Sequence, residues 1–194
     1  GDLHLGHLVN ALYTWGVARA AGGRVILRVE DHDRQRSRPA FEEGLLADLE
    51  RLRLLPDEPP IAAFRAGPTA YRQSDCGPVY VAAAARLQAA GLVYVCRCAR
   101  STFAAWEAAH GAPWHGPGCP GGCRDLRLPE PADGETTLRV ALGDGAEAWD
   151  DLLGGPQSGE PSAAGDPPIR DRHGNWTYGF CVVVDDLRHG ITLV

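Results

Sequence analysis

The chain has 194 residues, 44% apolar and 23% charged, which is the composition of an ordinary soluble globular domain with one sizeable core. It contains no stretch long enough to cross a membrane and no cleavable leader, which predicts a cytoplasmic location. Its net charge of −6 disfavours nonspecific binding to a polyanion, so any nucleic-acid contact must be local. The candidates for such a contact are Arg97, Arg100, Arg124 and Arg127. The alternative, which is at least as well supported, is that these arginines are solvated surface side chains with no role in nucleic-acid binding.

The first predicted element is a helix over Leu5–Ala21, closed by a Gly-Gly pair. His4, Gly6 and His7 stand at its start, where unpaired backbone N–H groups and the positive end of the helix dipole suit a phosphate. Gly6 lets a flat ring lie against the backbone, and the two imidazoles can donate to the charge that grows on a phosphoryl group. The pattern therefore indicates nucleotidyl transfer, with a surface histidine pair or a metal-binding pair as the alternatives.

Further along, strands and helices alternate, which predicts a parallel sheet. The strand Arg24–Val29 runs into the charged segment Glu30–Ser37, and ligands bind at the carboxyl ends of strands in open α/β sheets. The elements that follow are a helix over Pro39–Leu54, a proline-rich loop over 56–68, a helix over Thr69–Ala90 and a strand over 92–98.

Four cysteines in two close pairs predict a zinc site. They are Cys96, Cys98, Cys119 and Cys123, and the second pair lies on a Pro-Gly-Gly turn. Four thiolates bind zinc tetrahedrally, and a closed site of this kind is structural because no position is left for water. His115 is a substitute ligand if Cys119 points away. Disulfides are not expected in the cytosol, and the remaining Cys76 and Cys181 are expected to be small buried hydrophobes.

Shorter elements are predicted in the last part of the chain. Ser101–His110 reads as a helix, and Thr136–Leu142 and Ala146–Leu152 read as two antiparallel strands around the turn at 143–145. The segment Gly154–Pro168 is predicted to be turn-rich and mobile, and Val182–Val184 favours a strand by propensity alone.

The motifs, taken together, resemble the catalytic domain of class I glutamyl-tRNA synthetases over nearly the whole chain. His4-Leu5-Gly6-His7 resembles the HIGH motif of that class, and the sequence RVED at 28–31 resembles the glutamate-type form of the following strand. Three further segments occur in the family's order: Tyr71–Ser74, the cysteine pairs, and Trp176–Asp186.

The resemblance implies an α/β fold, a Rossmann-like class I aminoacyl-tRNA synthetase catalytic domain with a small zinc-binding insertion. The implied boundaries are a catalytic half at 1–95, the zinc knuckle at 96–124 and the remainder of the catalytic domain at 125–194.

The family pattern also changes two local predictions near the end of the chain. It implies that Val182–Val184 is helical and that Ile191–Val194 is the strand. A helix would place Tyr178, Cys181 and Asp185 on related turns facing the pocket.

The resemblance further implies ATP-dependent activation of L-glutamate, with Mg²⁺ accompanying ATP. His4, Gly6 and His7 would bind ATP, and the two histidines would be catalytic. Glu30 would accept the substrate ammonium and Tyr178 would line the glutamate site. The alternative for Glu30 is an ion pair with Arg28 or Arg34.

Structural roles are preferred for four aspartates. Asp31 and Asp33 would fix their loop through Arg34 and Arg36, and the other two are Asp185 and Asp186.

The compact spacing after the cysteines is similar to the family's short paralogues, the glutamyl-queuosine tRNA(Asp) synthetases, in which a tyrosine often stands where Cys119 stands here. Transfer to queuosine of tRNA(Asp) is therefore favoured over charging the 3′ end of tRNA(Glu). Two further alternatives are a small-molecule ligase that acts without tRNA and a noncatalytic zinc-binding RNA module.

All 19 cationic residues are arginine and methionine is absent, so the lysine-containing KMSKS loop of the family cannot occur. A truncated catalytic domain, expected to be monomeric and poorly soluble when isolated, is the resulting interpretation.

Overall fold

The computed structural model describes residues 3–32, 37–114, 119, 122–129 and 136–194, and the chain divides into two compact units, Gly1–Val79 and Tyr80–Val194. The helices are α1 (Leu5–Ala20), α2 (Pro39–Arg51), α3 (Ile61–Ala66), α4 (Gly77–Ala89), α5 (Arg100–His110) and α6 (Tyr178–His189). The strands are β1 (Val93–Cys96), β2 (Thr137–Val140), β3 (Glu147–Asp151), β4 (Gly155–Gly159) and β5 (Pro168–Arg170). None of the helices in the described ranges combines the length and the apolar character that a membrane crossing requires.

A small apolar core holds the first unit together. Leu46 and Leu49 are buried three residues apart on α2, and Ile61 and Phe64 are buried with the same spacing on α3. That spacing puts each pair on one helical face, so the two helices bury their apolar sides against each other and against Val29.

The extended segment Val25–Val29 borders this core and runs parallel to the two segments with which it pairs. Its bridges to Glu58 and Arg72 are both parallel, and the N–H groups of Leu27 and Val29 donate to the carbonyls of Glu58 and Tyr71 at 2.9 Å. The parallel sheet predicted from the alternation of elements is not found in the described residues. The parallel partners of this segment lie in the predicted loop at 56–68 and in the predicted helix over Thr69–Ala90, whereas β1, within the strand predicted at 92–98, pairs antiparallel with β2. The pairing of the extended segment consists of isolated bridges in the described residues, and not of the continuous strand that was predicted over Arg24–Val29.

Helix α1 covers one side of the core without burying any of its own residues. Leu8, Ala11 and Trp15 contact the core at helical spacing, while Leu5 is 76% exposed. The helix begins and ends within one residue of its predicted bounds.

Three boundaries in the first unit differ from the predictions. The helix predicted over Pro39–Leu54 ends at Arg51, and α3 lies within the predicted loop at 56–68. The helix predicted from Thr69 begins only at Gly77, because the backbone of residues 71–73 hydrogen-bonds to the extended segment. Pro78 then stands at the helix start, where its missing N–H costs nothing.

The second unit contains an antiparallel sheet in the order β1-β2-β5 and a separate β3-β4 hairpin. Val93 pairs with Val140 and Cys96 pairs with Thr137, so strands distant in sequence are joined. The predicted pairing of two strands across the turn at 143–145 is therefore wrong, because β2 pairs with β1 and β3 pairs with β4. The segment Gly154–Pro168, predicted to be turn-rich and mobile, contains β4 and a short 3₁₀ helix.

Helix α6 forms where propensity alone favoured a strand, and it contains Val182–Val184 as the resemblance implied. Phe180, Cys181 and Asp185 are buried along one side, which accounts for a helix because residues three to four apart share a face. The strand expected over Ile191–Val194 is wrong, since these residues pair with no strand in the described part of the chain.

Candidate active site and metal centre

The histidine cap, defined here as His4, Gly6 and His7, is closed on itself by hydrogen bonds. His4 is the N-cap residue of α1, and its Nδ1 accepts from the Gly6 N–H at 3.1 Å. The His7 Nδ1 in turn accepts from the His4 N–H at 3.2 Å, which completes a reciprocal capping box. The two rings lie 3.8 Å apart between centroids.

These bonds decide which imidazole nitrogens remain for a ligand. Each Nδ1 accepts a backbone N–H, so in the neutral ring the proton resides on Nε2, and His4 and His7 both become Nε2–H donors. The N–H of Gly6 is used by His4, and the N–H of His7 donates to the His4 carbonyl at 2.9 Å. The sequence interpretation offered such backbone groups to a phosphate, but these two are already satisfied. The donors at this helix start are therefore imidazoles.

An open groove of about 590 Å³ borders the histidine cap. Its polar lining residues are His4, His7, Asn10 and Thr14 together with Asp48 and Arg51 of α2. Most of the remaining lining is apolar, and Leu27, Leu45 and Leu49 are part of it. The groove thus has the mixed lining of a small-molecule site, with a few polar groups among mostly apolar ones.

Glu30 and Asp31 follow the extended segment directly, as predicted. The Glu30 carboxylate is 34% exposed and meets the Arg28 guanidinium at 3.4 Å, which is the alternative contact considered for it. Asp31 Oδ1 accepts from the Ser74 N–H at 2.8 Å and so ties two loops together, in agreement with a structural role. Asp33, Arg34 and Arg36 lie outside the described residues.

Tyr178 is the first residue of α6 and is 57% exposed. Cys181 and Asp185 are fully buried, so the expectation that all three would face one pocket is wrong. Asp185 accepts from the Tyr80 hydroxyl at 3.0 Å and from Arg188 Nε at 2.8 Å, which agrees with the structural role preferred for it.

Arg72 organises the first unit in a way that sequence reasoning missed. Its guanidinium donates to Glu42 and Asp75 and to the carbonyls of Phe64 and Gly67. The hydrogen bonds that Arg72 donates to the Glu42 carboxylate outweigh the effect of burial and raise the Arg72 pKa above its ordinary value. The sequence signal was only an arginine within the Tyr71–Ser74 motif.

The cysteine cluster, defined here as Cys96, Cys98, Cys119 and Cys123, is assembled in the second unit. All four sulfur atoms lie within 4.8 Å of one another, and Cys98 Sγ is 3.5 Å from the sulfurs of Cys119 and Cys123. Three of the four residues are buried, so Cys119 points inward and no substitute for it is required. His115 lies outside the described residues. Cys76 and Cys181 are buried apart from this cluster, as expected.

The donor set and its spacing fit a zinc ion. Tetrahedral thiolate sites with Zn–S bonds of about 2.3 Å place their sulfurs about 3.8 Å apart, within the range found here. Burial raises the pKa of the Cys98 thiol, and the Cys123 and Cys119 thiols raise it further. Burial also raises the pKa of Cys96, against the opposing effect of the Cys98 N–H and Arg139. Such closely spaced buried thiols cannot all ionise without a cation among them.

A buried carboxylate, Asp166, adjoins the cysteine cluster. Its Oδ1 accepts from the Leu142 N–H at 2.9 Å and its Oδ2 accepts from the Tyr94 hydroxyl at 2.7 Å. Arg124 binds both oxygens, at 2.5 Å and 3.1 Å. Burial raises the pKa of Asp166, but the Arg124 and Leu142 hydrogen bonds outweigh it and lower the pKa below its ordinary value.

The backbone of Asp166 pairs with the backbone of Cys119. Asp166 N–H donates to the Cys119 carbonyl at 3.3 Å, and Cys119 N–H donates to the Asp166 carbonyl at 3.2 Å. Gly165 makes this approach possible, because its φ is +74° and an added Cβ would lie 2.6 Å from the Cys119 carbonyl oxygen. Of the arginines considered for nucleic-acid contact, Arg124 is thus engaged by Asp166, while Arg97 and Arg127 are exposed.

Residues 1–194 match the protein family described as tRNA synthetases class I (E and Q), catalytic domain. A glutamyl-Q tRNA(Asp) synthetase of Symbiobacterium thermophilum is 46% identical over 200 residues, which cover 100% of this chain and 61% of that protein. A protein of the same name from Nitratidesulfovibrio vulgaris is 38% identical with the same two coverages. A glutamate–tRNA ligase 2 of Syntrophus aciditrophicus is 36% identical over 96% of this chain and 39% of its own length. The chain therefore spans about three fifths of the first two of these relatives.

Solved structures give the same relationship. The crystal structure of a glutamate tRNA ligase from Elizabethkingia meningosepticum in complex with its amino acid has a TM-score of 0.76 and 28% identity, covering 99% of this chain and 40% of that chain. A glutamate–tRNA synthetase from Elizabethkingia anophelis has the same TM-score and identity, with 99% and 41% coverage. The predicted α/β synthetase fold is confirmed by this similarity.

Proposed function

This chain belongs to the class I tRNA synthetases of the glutamate and glutamine group, and from that premise we propose that it activates L-glutamate with ATP and passes it to a tRNA. The proposed acceptor is queuosine of tRNA(Asp), which the names of the Symbiobacterium and Nitratidesulfovibrio relatives support. The second candidate is a glutamate–tRNA ligase that charges the 3′ end of tRNA(Glu), which the Syntrophus relative and the solved structures favour.

The observation that carries the activation step is the histidine cap. A glutamate carboxylate oxygen attacks the α-phosphorus of ATP, the bond to the bridging oxygen breaks, and pyrophosphate leaves with that electron pair. Negative charge grows on the phosphoryl oxygens during this displacement. His4 and His7 each hold a backbone N–H on Nδ1 and so retain an Nε2–H to donate to those oxygens. Because the capping box holds both rings, little reorganisation is needed when the charge develops.

Gly6 serves the same step by leaving space. An added Cβ at this position would lie 3.1 Å from His4 Cε1, so a side chain would require the imidazole to shift by a few tenths of an ångström. We assign ATP contact to His4, Gly6 and His7, whereas the substrate glutamate is assigned to two other residues. Glu30 would accept from the ammonium, and the Tyr178 ring would form an apolar wall.

Two metal ions belong to the proposal. Cys96, Cys98, Cys119 and Cys123 would hold zinc in a closed site that orders residues 96–124 without taking part in the reaction. Mg²⁺ bound with ATP supplies further compensation of phosphate charge. A cytoplasmic location and a monomeric state complete the proposal.

The test is glutamate-dependent ATP–pyrophosphate exchange in the full-length protein carrying His7→Ala. We expect exchange to fall by about 100-fold, the usual effect of removing one donor to a developing oxyanion. His173→Ala is the matched control, because it removes an exposed histidine from the second unit. Normal exchange in the His7→Ala protein would contradict the role given to the cap. Absent exchange in a wild-type protein that binds zinc and tRNA would favour a noncatalytic RNA module.

Charging with radiolabelled glutamate distinguishes the acceptors in the same preparations. Queuosine-containing tRNA(Asp), tRNA(Asp) that lacks queuosine and tRNA(Glu) are compared. We expect only the first to be charged. Charging of tRNA(Glu) alone would replace the proposed acceptor by the terminal adenosine and would leave the activation step intact.

A further inference from the structure

The cysteine cluster takes its ligands from three separate segments, and one residue, Asp166, contacts all three through its carboxylate or its backbone. The Tyr94 hydroxyl, which donates to Asp166, lies on β1 two residues before Cys96. Arg124, which binds both oxygens of the same carboxylate, follows Cys123 directly. The third segment is held by the paired backbone hydrogen bonds between Asp166 and Cys119.

The backbone of Asp166 also engages a buried cation. Arg139 Nη1 donates to the Asp166 carbonyl at 2.7 Å, and Arg139 is only 5% exposed. Arg139 lies on β2 two residues after Thr137, which pairs with Cys96, so the side chains of Arg139 and Cys96 extend from the same face of the sheet. A zinc ion with four thiolates carries a net charge of −2, so a buried arginine beside one of the sulfurs offsets part of that charge.

We propose that Asp166 is the positioning residue of the zinc site, because it joins the three ligand-bearing segments and holds Arg139 at the cluster. It does not touch the metal. Its contacts hold the sulfurs close together before metal binding, so that little ordering remains when zinc enters. This inference rests on the zinc site proposed above. Partners behind the ligands are commonly worth about 10- to 100-fold in metal affinity.

An alternative explanation is that Asp166 merely stabilises the second unit. The two explanations differ in what an Asp166→Asn change does to a chain that is still folded. The amide keeps the size and one acceptor oxygen, but it cannot bind Arg124 through two oxygens. A positioning residue changes zinc affinity in the folded chain, whereas a general stabiliser lowers the melting temperature and leaves zinc affinity unchanged.

The experiment is a zinc competition titration of the full chain against a chromophoric chelator, at a temperature where circular dichroism shows each variant folded. We expect Asp166→Asn to weaken zinc binding by about 10- to 100-fold. Tyr94→Phe, which removes one hydrogen bond and no charge, should weaken it less. The control is Asp171→Asn, because Asp171 also organises a loop through backbone N–H groups but makes contact with His173 and Asn175 and not with the cluster.

Cobalt(II) substitution gives a second readout, since intense d–d bands report a tetrahedral thiolate site. We expect Asp166→Asn to weaken these bands at a fixed cobalt concentration while Asp171→Asn leaves them unchanged. Superimposed titrations for Asp166→Asn and the wild type would overturn the inference and leave the zinc site standing. A wild-type chain that binds no zinc would overturn both. Should Asp166→Asn fail to fold, Tyr94→Phe decides by the same criterion.

Discussion

The histidine cap and the cysteine cluster are built in opposite ways. The cap is formed by His4, Gly6 and His7, which lie within four consecutive residues, are exposed and are held by hydrogen bonds within one helical turn. The cluster gathers four cysteines from three segments, buries three of them, and depends on Asp166 from a fourth segment. A site of the first kind is specified by a short sequence, whereas a site of the second kind is specified by the fold around it. The variants below test this contrast.

The largest expected effect is at the assembled site. Cys98 is the thiol that contacts both Cys119 and Cys123, so Cys98→Ser should remove most of a binding free energy of about 10–16 kcal/mol. We expect the variant to lose stoichiometric zinc on dialysis and its melting temperature to become independent of chelator. The control is Cys76→Ser, which alters a buried thiol of the first unit. Stoichiometric zinc in the Cys98→Ser protein would show that the cluster does not need all four thiols.

An intermediate effect is expected at the local site. Gly6→Ala places a methyl group 3.1 Å from His4 Cε1, so the ring that caps the helix through its Nδ1 must shift by a few tenths of an ångström. Loss of a cap costs about 1 kcal/mol of stability, while we expect pyrophosphate exchange to fall at least tenfold. Gly16→Ala in the same helix is the control, because an added Cβ there meets no atom within 4 Å. That change should stabilise the protein by about 0.5–1 kcal/mol. Undiminished exchange in Gly6→Ala would mean that the cap geometry is not what the reaction uses.

The smallest effect concerns the far end of α1. Asp57 accepts from Arg19 at 2.8 Å and from the Val25 N–H at 2.7 Å, and these bonds lower its pKa. A carboxyl whose folded pKa lies below its unfolded value of about 3.9 stabilises the protein above that value and stops doing so as the pH falls through the folded pKa.

Asp57→Asn should therefore lower the melting temperature at pH 7, and this difference should shrink as the pH falls below the unfolded value of about 3.9. Exchange at pH 7 should be unchanged, since the cap is built within the first turn of the helix. A melting-temperature difference that stays constant down to this acidic range would exclude the ionised carboxylate as its cause. A loss of exchange would show that the cap is not locally built.

The same contrast explains what the sequence could predict. The bounds of α1 and α5 and the helical state of α6 followed from motifs, capping patterns or family resemblance. The start of α4 did not, because residues 71–73 are taken up by parallel bonds to a segment more than 40 positions earlier, as the Val29–Arg72 bridge shows. The pairing of β2 with β1 was missed for the same reason, since nothing between residues 136 and 152 specifies a partner at 93–96.

The sites divide in the same manner. The sequence indicated all four cysteines and both histidines, because their spacing is itself the signal. It did not indicate Asp166, which occurs in an ordinary Gly-Asp-Pro-Pro segment and whose five partners are 24 to 72 positions away. The histidine pattern also suggested free amides at the helix start, although the imidazoles occupy two of them. The orientation of the His4 ring, which the spacing of the histidines does not specify, determines that the Gly6 N–H is already bonded.

Gly165 narrows the range of sequences that this fold can accept. Its backbone is left-handed, and the Cys119 carbonyl oxygen and the Trp114 ring stand where a side chain would be, so nineteen of the twenty amino acids are excluded by space alone. In a comparison of many descendants of this protein, such a position would look as invariant as a catalytic residue although it performs no chemistry. An invariant glycine at position 165 would reflect only the steric clash that any side chain would cause there.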